Sequence, residues 1–166
     1  YRRLPEMKTL PTTSTASSGT YYVLYEKIFK EGFNQILSIH ASSLLSGIYN
    51  AASAAAKAFG DRVRVIDSQQ ISMGLGFQVL EAAEAIRQGL KMDEILERIA
   101  GIRQRIHLVA MLDTLEYVRR SGRVSWARAS LGSLLHIKPF VEVKNGIVQR
   151  LGEVRTRAKG IARLLE

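Results

Sequence analysis

The sequence predicts an α/β protein: a parallel sheet covered by helices, followed by part of a second α/β domain that carries a β-hairpin. Three observations predict it. Short β-branched runs, QILSIHA at 35–41 and VRVID at 63–67, alternate with longer segments whose apolar residues recur at helical spacing. That alternation describes strands joined by crossover helices. The pattern then changes after Met111, and Asn145-Gly146 sits between two apolar runs, a hairpin signal because both residues tolerate positive φ.

Taken in order, the polar stretch TTSTASSGT at 12–20 is a loop, and YYVLYEKIFKEG at 21–32 is a helix stopped by Gly32. QILSIHA is the first strand, SSLLSG its loop, and the Ala-rich IYNAASAAAKAFG a second helix ending at glycine. VRVID is the second strand and GLGFQVLEAAEAIRQG the third helix. Asp93 reads as the N-cap of a fourth, DEILERIAGIRQR. HLVAML at 107–112 is a third strand. DTLEYVRRSGR is a helix ending at Gly122, and WARASLGSLL at 126–135 is helical. IKPFVEVKNGIVQRL forms the hairpin, and EVRTRAKGIARLLE begins a helix running to the last residue. The expected division is a first domain over 1–112 lacking its N-terminal part and an incomplete second domain over 113–166. The chain opens without Met on what reads as a helix end, so it is expected to be a fragment.

Close to half the 166 residues are hydrophobic, enough for a core, and the absence of cysteine excludes disulfides, thiolate catalysis and cysteine-ligated zinc. It also fits a cytoplasmic location. No apolar run reaches membrane-spanning length, and the first residues contain no signal core. The net charge of +9, from 24 basic and 15 acidic residues, raises a nucleic-acid-binding module as a rival function.

GLGFQV begins like a dinucleotide fingerprint, but Val79 stands where the third glycine belongs, and a tight strand-to-helix turn explains the two glycines better. His40, His107 and His136 are scattered, without metal-ligand spacing. His40 reads as a sheet-face residue. A serine hydrolase using His40 is a further rival, though the G-x-S-x-G elbow is absent. What remains is a surplus of hydroxyls: Thr12, Thr13, Ser14, Thr15, Ser17 and Ser18 in one loop, then Ser42, Ser43 and Ser46 in another. Helix capping accounts for one serine per helix. Loops flanking one strand and helix can converge at the carboxyl end of a sheet, where ligands of such folds sit. Hydroxyls and helix N–H groups without Lys or Arg suit a carboxylate. Two or three such bonds, at about 1.5–3 kcal/mol each, orient a headgroup without holding it tightly. A long apolar tail, at about 0.8 kcal/mol per buried methylene, would supply the grip.

The residues that make this surplus also carry a resemblance. PTTSTAS at 11–17, SIHASSLLSGIYNAA at 38–52, VRVIDSQQISMGLGFQVLEAA at 63–83, DTLEYVRRSGRVS at 113–125, LGSLLHIKPFVEVKNG at 131–146 and VRTR at 154–157 follow one another as in the DegV family of bacterial fatty-acid-binding proteins, which the chain resembles over essentially its whole length. The resemblance implies two α/β domains and a buried long-chain fatty acid, with no other cofactor and no metal. It implies a carboxylate bound by Thr13, with Ser14 beside it, and by Ser46 or Ser43, with Gly47 offering its N–H. Arg123 matches an arginine of the family and falls at the pocket mouth, at a partner surface, or simply in solvent after a helix. Arg155 and Arg157 match a basic segment suited to a partner. The family role implied is that of a carrier, not an enzyme, which presents the acyl chain to a separate fatty-acid kinase for acyl phosphate formation in phospholipid metabolism. Thr15 and Ala16 in place of Gln-Pro, Ile48 in place of Thr, and Ser121 in place of Gly depart from the family pattern around these positions.

Overall fold

The computed structural model describes residues 4–9, 11–129 and 137–165. After a short 3₁₀ turn at Leu4–Glu6, the elements are α1 (Ser18–Lys30), β1 (Ile36–His40), α2 (Ile48–Ala56), β2 (Val63–Asp67), α3 (Ser72–Arg87), α4 (Met92–Arg105), β3 (Leu108–Met111), α5 (Glu116–Ser121), α6 (Ser125–Ala129), β4 (Lys138–Lys144), β5 (Ile147–Val154) and α7 (Arg157–Leu165). A 3₁₀ segment over Lys57–Arg62 extends α2 and breaks at Gly60, whose φ is 58°.

β1 and β2 pair in parallel, Ile36 with Val63 through His40 with Asp67. Their period-2 alternation feeds two cores. Ile36, Val63 and Val65 pack with Tyr25 of α1 and Ala55 and Ala56 of α2. Leu37, Ile39 and Ile66 pack with Ala82 and Ala85 of α3 and Ile95 and Ile99 of α4. Helices thus cover both faces, and the alanines let them approach closely.

The third strand behaves differently from the sequence reading. HLVAML does not extend the parallel sheet: β3 pairs antiparallel with β4, which pairs with β5, in the order β3-β4-β5. The reason is the hairpin, whose strands offer antiparallel edges and matched alternation. Asn145 and Gly146 have φ of 51° and 81°, a two-residue turn with Lys144 opposite Ile147. One face of this sheet takes α7, where a Cβ on Gly160 would overlap Met111 Sδ.

Three local expectations are corrected. α4 begins at Met92, before Asp93, because Glu94 Oε2 reaches back to accept from Lys91 N–H at 2.7 Å. Asp93 lies in the first turn of that helix, where a carboxylate complements the exposed N–H groups. Gly74 and Gly76 lie within α3 rather than in a turn; a Cβ on Gly74 would sit 2.5 Å from Gln70 Oε1. Glu153 and Val154 belong to β5, and the last helix starts at Arg157. His136 and most of the helical stretch expected over 126–135 lie outside the described residues.

His40 is the sheet-face residue expected. It is buried, edge-on to Tyr21 at 5.4 Å, with Nε2 2.8 Å from Ser38 Oγ, which in turn accepts from Tyr25 Oη–H at 2.8 Å. Burial pushes the imidazole pKa below its ordinary value. The unfolded chain therefore binds the proton more readily, so the contribution of His40 to stability is complete above about pH 6.5 and falls as the pH drops below it. Urea denaturation at pH 7.5 and 5.5 should give a loss of stability at the lower pH that is smaller in His40→Gln. An equal loss in both proteins would contradict this.

Candidate ligand-binding site

Each serine around the β1–α2 connection has its own use. Ser38 serves His40, as above. Ser42 is fully buried, and its Oγ–H donates to Gly146 O at 2.6 Å at the hairpin tip. Ser43 donates through both N–H (3.2 Å) and Oγ–H (2.5 Å) to Asp67 Oδ2. Ser46 Oγ accepts from Ile48 N–H at 3.4 Å, and among the described residues its own proton meets no acceptor. Its N–H and that of Leu45 close a turn on Ser42 O, both at 3.0 Å. Gly47 is the N-cap of α2 and supplies no side chain to the helix start.

Ser46 opens onto a cavity of about 450 Å³, within the size range of small-molecule sites. Its floor comes from the second sheet. Leu108 and Ala110 of β3, Val141 and Val143 of β4 and Val148 of β5 share the face opposite α7, because pairing sets Leu108 against Val143 and Ala110 against Val141. Ala41, Leu45, Ser46, Ile71 and Ser72 form the other wall. The hollow is thus a greasy slot between the loops following β1 and β2 and an antiparallel sheet. Two hydrogen bonds fasten those walls: Ser42 to Gly146, and Gln70 Nε2–H to Val143 O at 3.3 Å.

Thr13 lines an adjoining groove with Thr12, Tyr117, Arg120, Ser121 and Arg123. Ser121 and Arg123 border both hollows, so Arg123 stands where the apolar slot meets the hydroxyl-lined groove. The two hydroxyl loops also approach directly: a Cβ on Gly47 would lie 3.6 Å from Thr15 Oγ1. Ser14 is exposed and lines neither hollow. Ser17 is the plain cap of α1, accepting from Thr20 N–H at 3.2 Å. Thr13, Ser46, Gly47 and Arg123 therefore surround one region without all facing a single cavity.

Sequence reasoning missed the floor of the slot and the carboxylate that holds Ser43. The floor was signalled by Leu108-x-Ala110-x-Leu112 and Val141-x-Val143, alternations that declare an apolar face but not what it faces. Among the described residues no group of three or more His, Asp or Glu is placed to hold a metal ion, and no helix is long and apolar enough to cross a membrane.

Known proteins share both sequence and architecture. A family model described as an uncharacterised protein of the DegV family matches residues 1–166. A DegV domain-containing protein of Deinococcus radiodurans is 38% identical over 159 residues, 96% of this chain and 56% of the relative. Protein DegV of Bacillus subtilis is 35% identical over 169 residues, all of this chain and 59% of the relative. Among solved structures, a DegV family protein from Thermus thermophilus described for fatty acid binding superimposes with a TM-score of 0.89 at 35% identity, over 99% of this chain and 58% of that one. DegV of Bacillus subtilis, described as a fatty acid binding protein, gives 0.85 at 33% identity, over 99% and 59%. This chain thus spans somewhat more than half the length of the proteins it matches. With a whole-chain family match, curated relatives above one-third identity and the same α/β architecture in the solved structures, the chain belongs to the DegV family.

Proposed function

We propose that this protein binds a long-chain fatty acid, with the acyl tail in the slot between the two sheets and the carboxylate at Ser46 and Gly47. The observation that carries the reading is the slot itself: an apolar hollow with Ser46 at its edge, a hydroxyl whose proton meets no acceptor among the described residues, beside the start of α2. Ser46 is a better partner than Ser43, whose proton is already given to Asp67. Arg123 attracts the anion at the rim, and Thr13 meets the headgroup from the adjoining groove. The fatty acid binding described for the Thermus thermophilus and Bacillus subtilis relatives supports the same ligand class.

The role proposed is that of a carrier, and transfer of the acyl chain to a separate kinase fits a headgroup held at an open groove with Arg155 exposed. Arg157 is less available, since it pairs with Asp113 at 3.1 Å. The rival readings have less support. Some cations in the second half are paired, Arg120 with Glu116, Lys138 with Asp113 and Arg150 with Glu153, and an apolar slot is not what a nucleic-acid surface requires. A hydrolase would need His40 near an accessible nucleophile, and His40 is buried against Tyr21 and engaged by Ser38.

Binding of stearic acid, followed by calorimetry, tests the reading. Ser46→Ala should weaken it about tenfold, the loss of one hydrogen bond to a charged group. The affinity of the parent should change little between 50 and 500 mM salt, because tail burial is insensitive to screening, whereas a nucleic-acid interaction would fall steeply. No measurable binding to the parent protein would overturn the proposal.

A further inference from the structure

Asp67 ends β2, is only partly buried and lines neither hollow, yet both of its carboxylate oxygens are engaged. Oδ2 accepts the Ser43 N–H and Oγ–H, at 3.2 and 2.5 Å, and Oδ1 accepts Gln69 N–H at 2.8 Å. One side chain therefore ties the turn after β1 to the turn after β2. Ser43 lies inside the short turn closed by Leu45 and Ser46 on Ser42 O, so whatever fixes Ser43 also fixes where Ser46 and Gly47 begin α2. Two of the bonds to Asp67, from Ser43 Oγ–H and Gln69 N–H, are short, as suits donors to a carboxylate. Its oxygens face backbone and hydroxyl donors of the two turns.

We propose that Asp67 is a positioning residue that aims Ser46 Oγ into the slot and so sets selectivity for a carboxylate over an uncharged headgroup, an inference that rests on the fatty-acid reading above. Asp67 acts through Ser43 and does not touch the ligand. Its removal therefore affects the headgroup and spares the tail. A general loss of stability would weaken both alike.

The experiment compares stearic acid with methyl stearate, which has the same tail and no charge, on the parent chain, Asp67→Ala, Asp67→Asn and Ser43→Ala, with thermal melts of each. The parent should prefer the acid by about a hundredfold, as expected for two charge-assisted bonds. In Asp67→Ala that preference should fall about tenfold, while the affinity for methyl stearate stays within about twofold. Ser43→Ala, which keeps the backbone N–H bond to Asp67, and Asp67→Asn, which keeps one acceptor, should both fall between Asp67→Ala and the parent. If Asp67→Ala does not fold, the other two variants carry the test. An acid preference undiminished in the variants, or equal weakening of both ligands, overturns the role of Asp67. A parent chain that binds both ligands equally overturns the headgroup reading itself, a different and recognisable result.

Discussion

Ala110→Phe is expected to reduce long-chain fatty-acid binding by about a hundredfold or more while the fold remains intact. Ala110 sits on β3 opposite Val141, with its methyl directed into the slot, and it is exposed to that hollow rather than packed in either core. A phenyl ring there occupies space the tail needs. Displacing about four methylenes at about 0.8 kcal/mol each removes about 3 kcal/mol, more than a hundredfold in affinity. Stability should hold or rise slightly, because the ring fills an apolar void without disturbing existing contacts. The measurements are the dissociation constant for stearic acid and the urea midpoint. Unchanged affinity in a folded variant would place the tail elsewhere. A shorter acid such as octanoic acid should lose less than stearic acid, which separates a blocked slot from a damaged headgroup site.

Gly146→Ala is expected to destabilise the protein by about 2–4 kcal/mol, the range of a strained and overpacked site. Two costs add. Gly146 has a φ of 81°, where a side chain is strained by about 1–2 kcal/mol. Its new Cβ would also stand 2.8 Å from Ser42 Oγ and 3.4 Å from Leu44 Cδ1. Ser42 cannot simply swing aside, since its Oγ–H donates to Gly146 O and its oxygen accepts Leu44 N–H at 3.2 Å. Ser42→Ala alone should cost about 1–2 kcal/mol for the lost buried bond. Combined with Gly146→Ala, the two effects should sum to less than their total, because the first change removes the obstacle met by the second. Chemical denaturation of the four proteins gives the cycle. Strict additivity would mean that the hairpin tip does not press on Ser42.

The elements of this fold were legible because their signals are local. Asn145-Gly146 specifies its turn unaided, and Gly32 and Gly122 stand close to where helix ends are expected, whereas α1 starts at Ser18, inside the stretch that reads as loop, because Ser17 caps it. The partner of β3 was not legible: an apolar run of four residues suits either a parallel or an antiparallel neighbour, and the hairpin that claims it follows about thirty residues later. At the site, chemistry was easier to read than geometry. The surplus of hydroxyls stood out, but the sequence could not assign Ser38 to His40, Ser42 to the hairpin and Ser43 to Asp67, since those partners are set by tertiary contact. Ser46 is distinguished only once the other three are accounted for. Asp67 carries no distinctive sequence signal, because an Asp after a strand usually caps a turn, and here it does that for Gln69 while also holding Ser43.

The fastening of the hairpin tip has a kinetic corollary. Ser42 and Gly146 are 104 positions apart, and Gln70 and Val143 are 73 apart. Contacts of such separation demand costly loop closure and form after nearby helices and the turn itself have condensed. The two walls can each mature alone, so the chamber between them is among the last features to appear and the first to open. An occupant arriving after closure would leave the speed of assembly untouched and lengthen the lifetime of the assembled state.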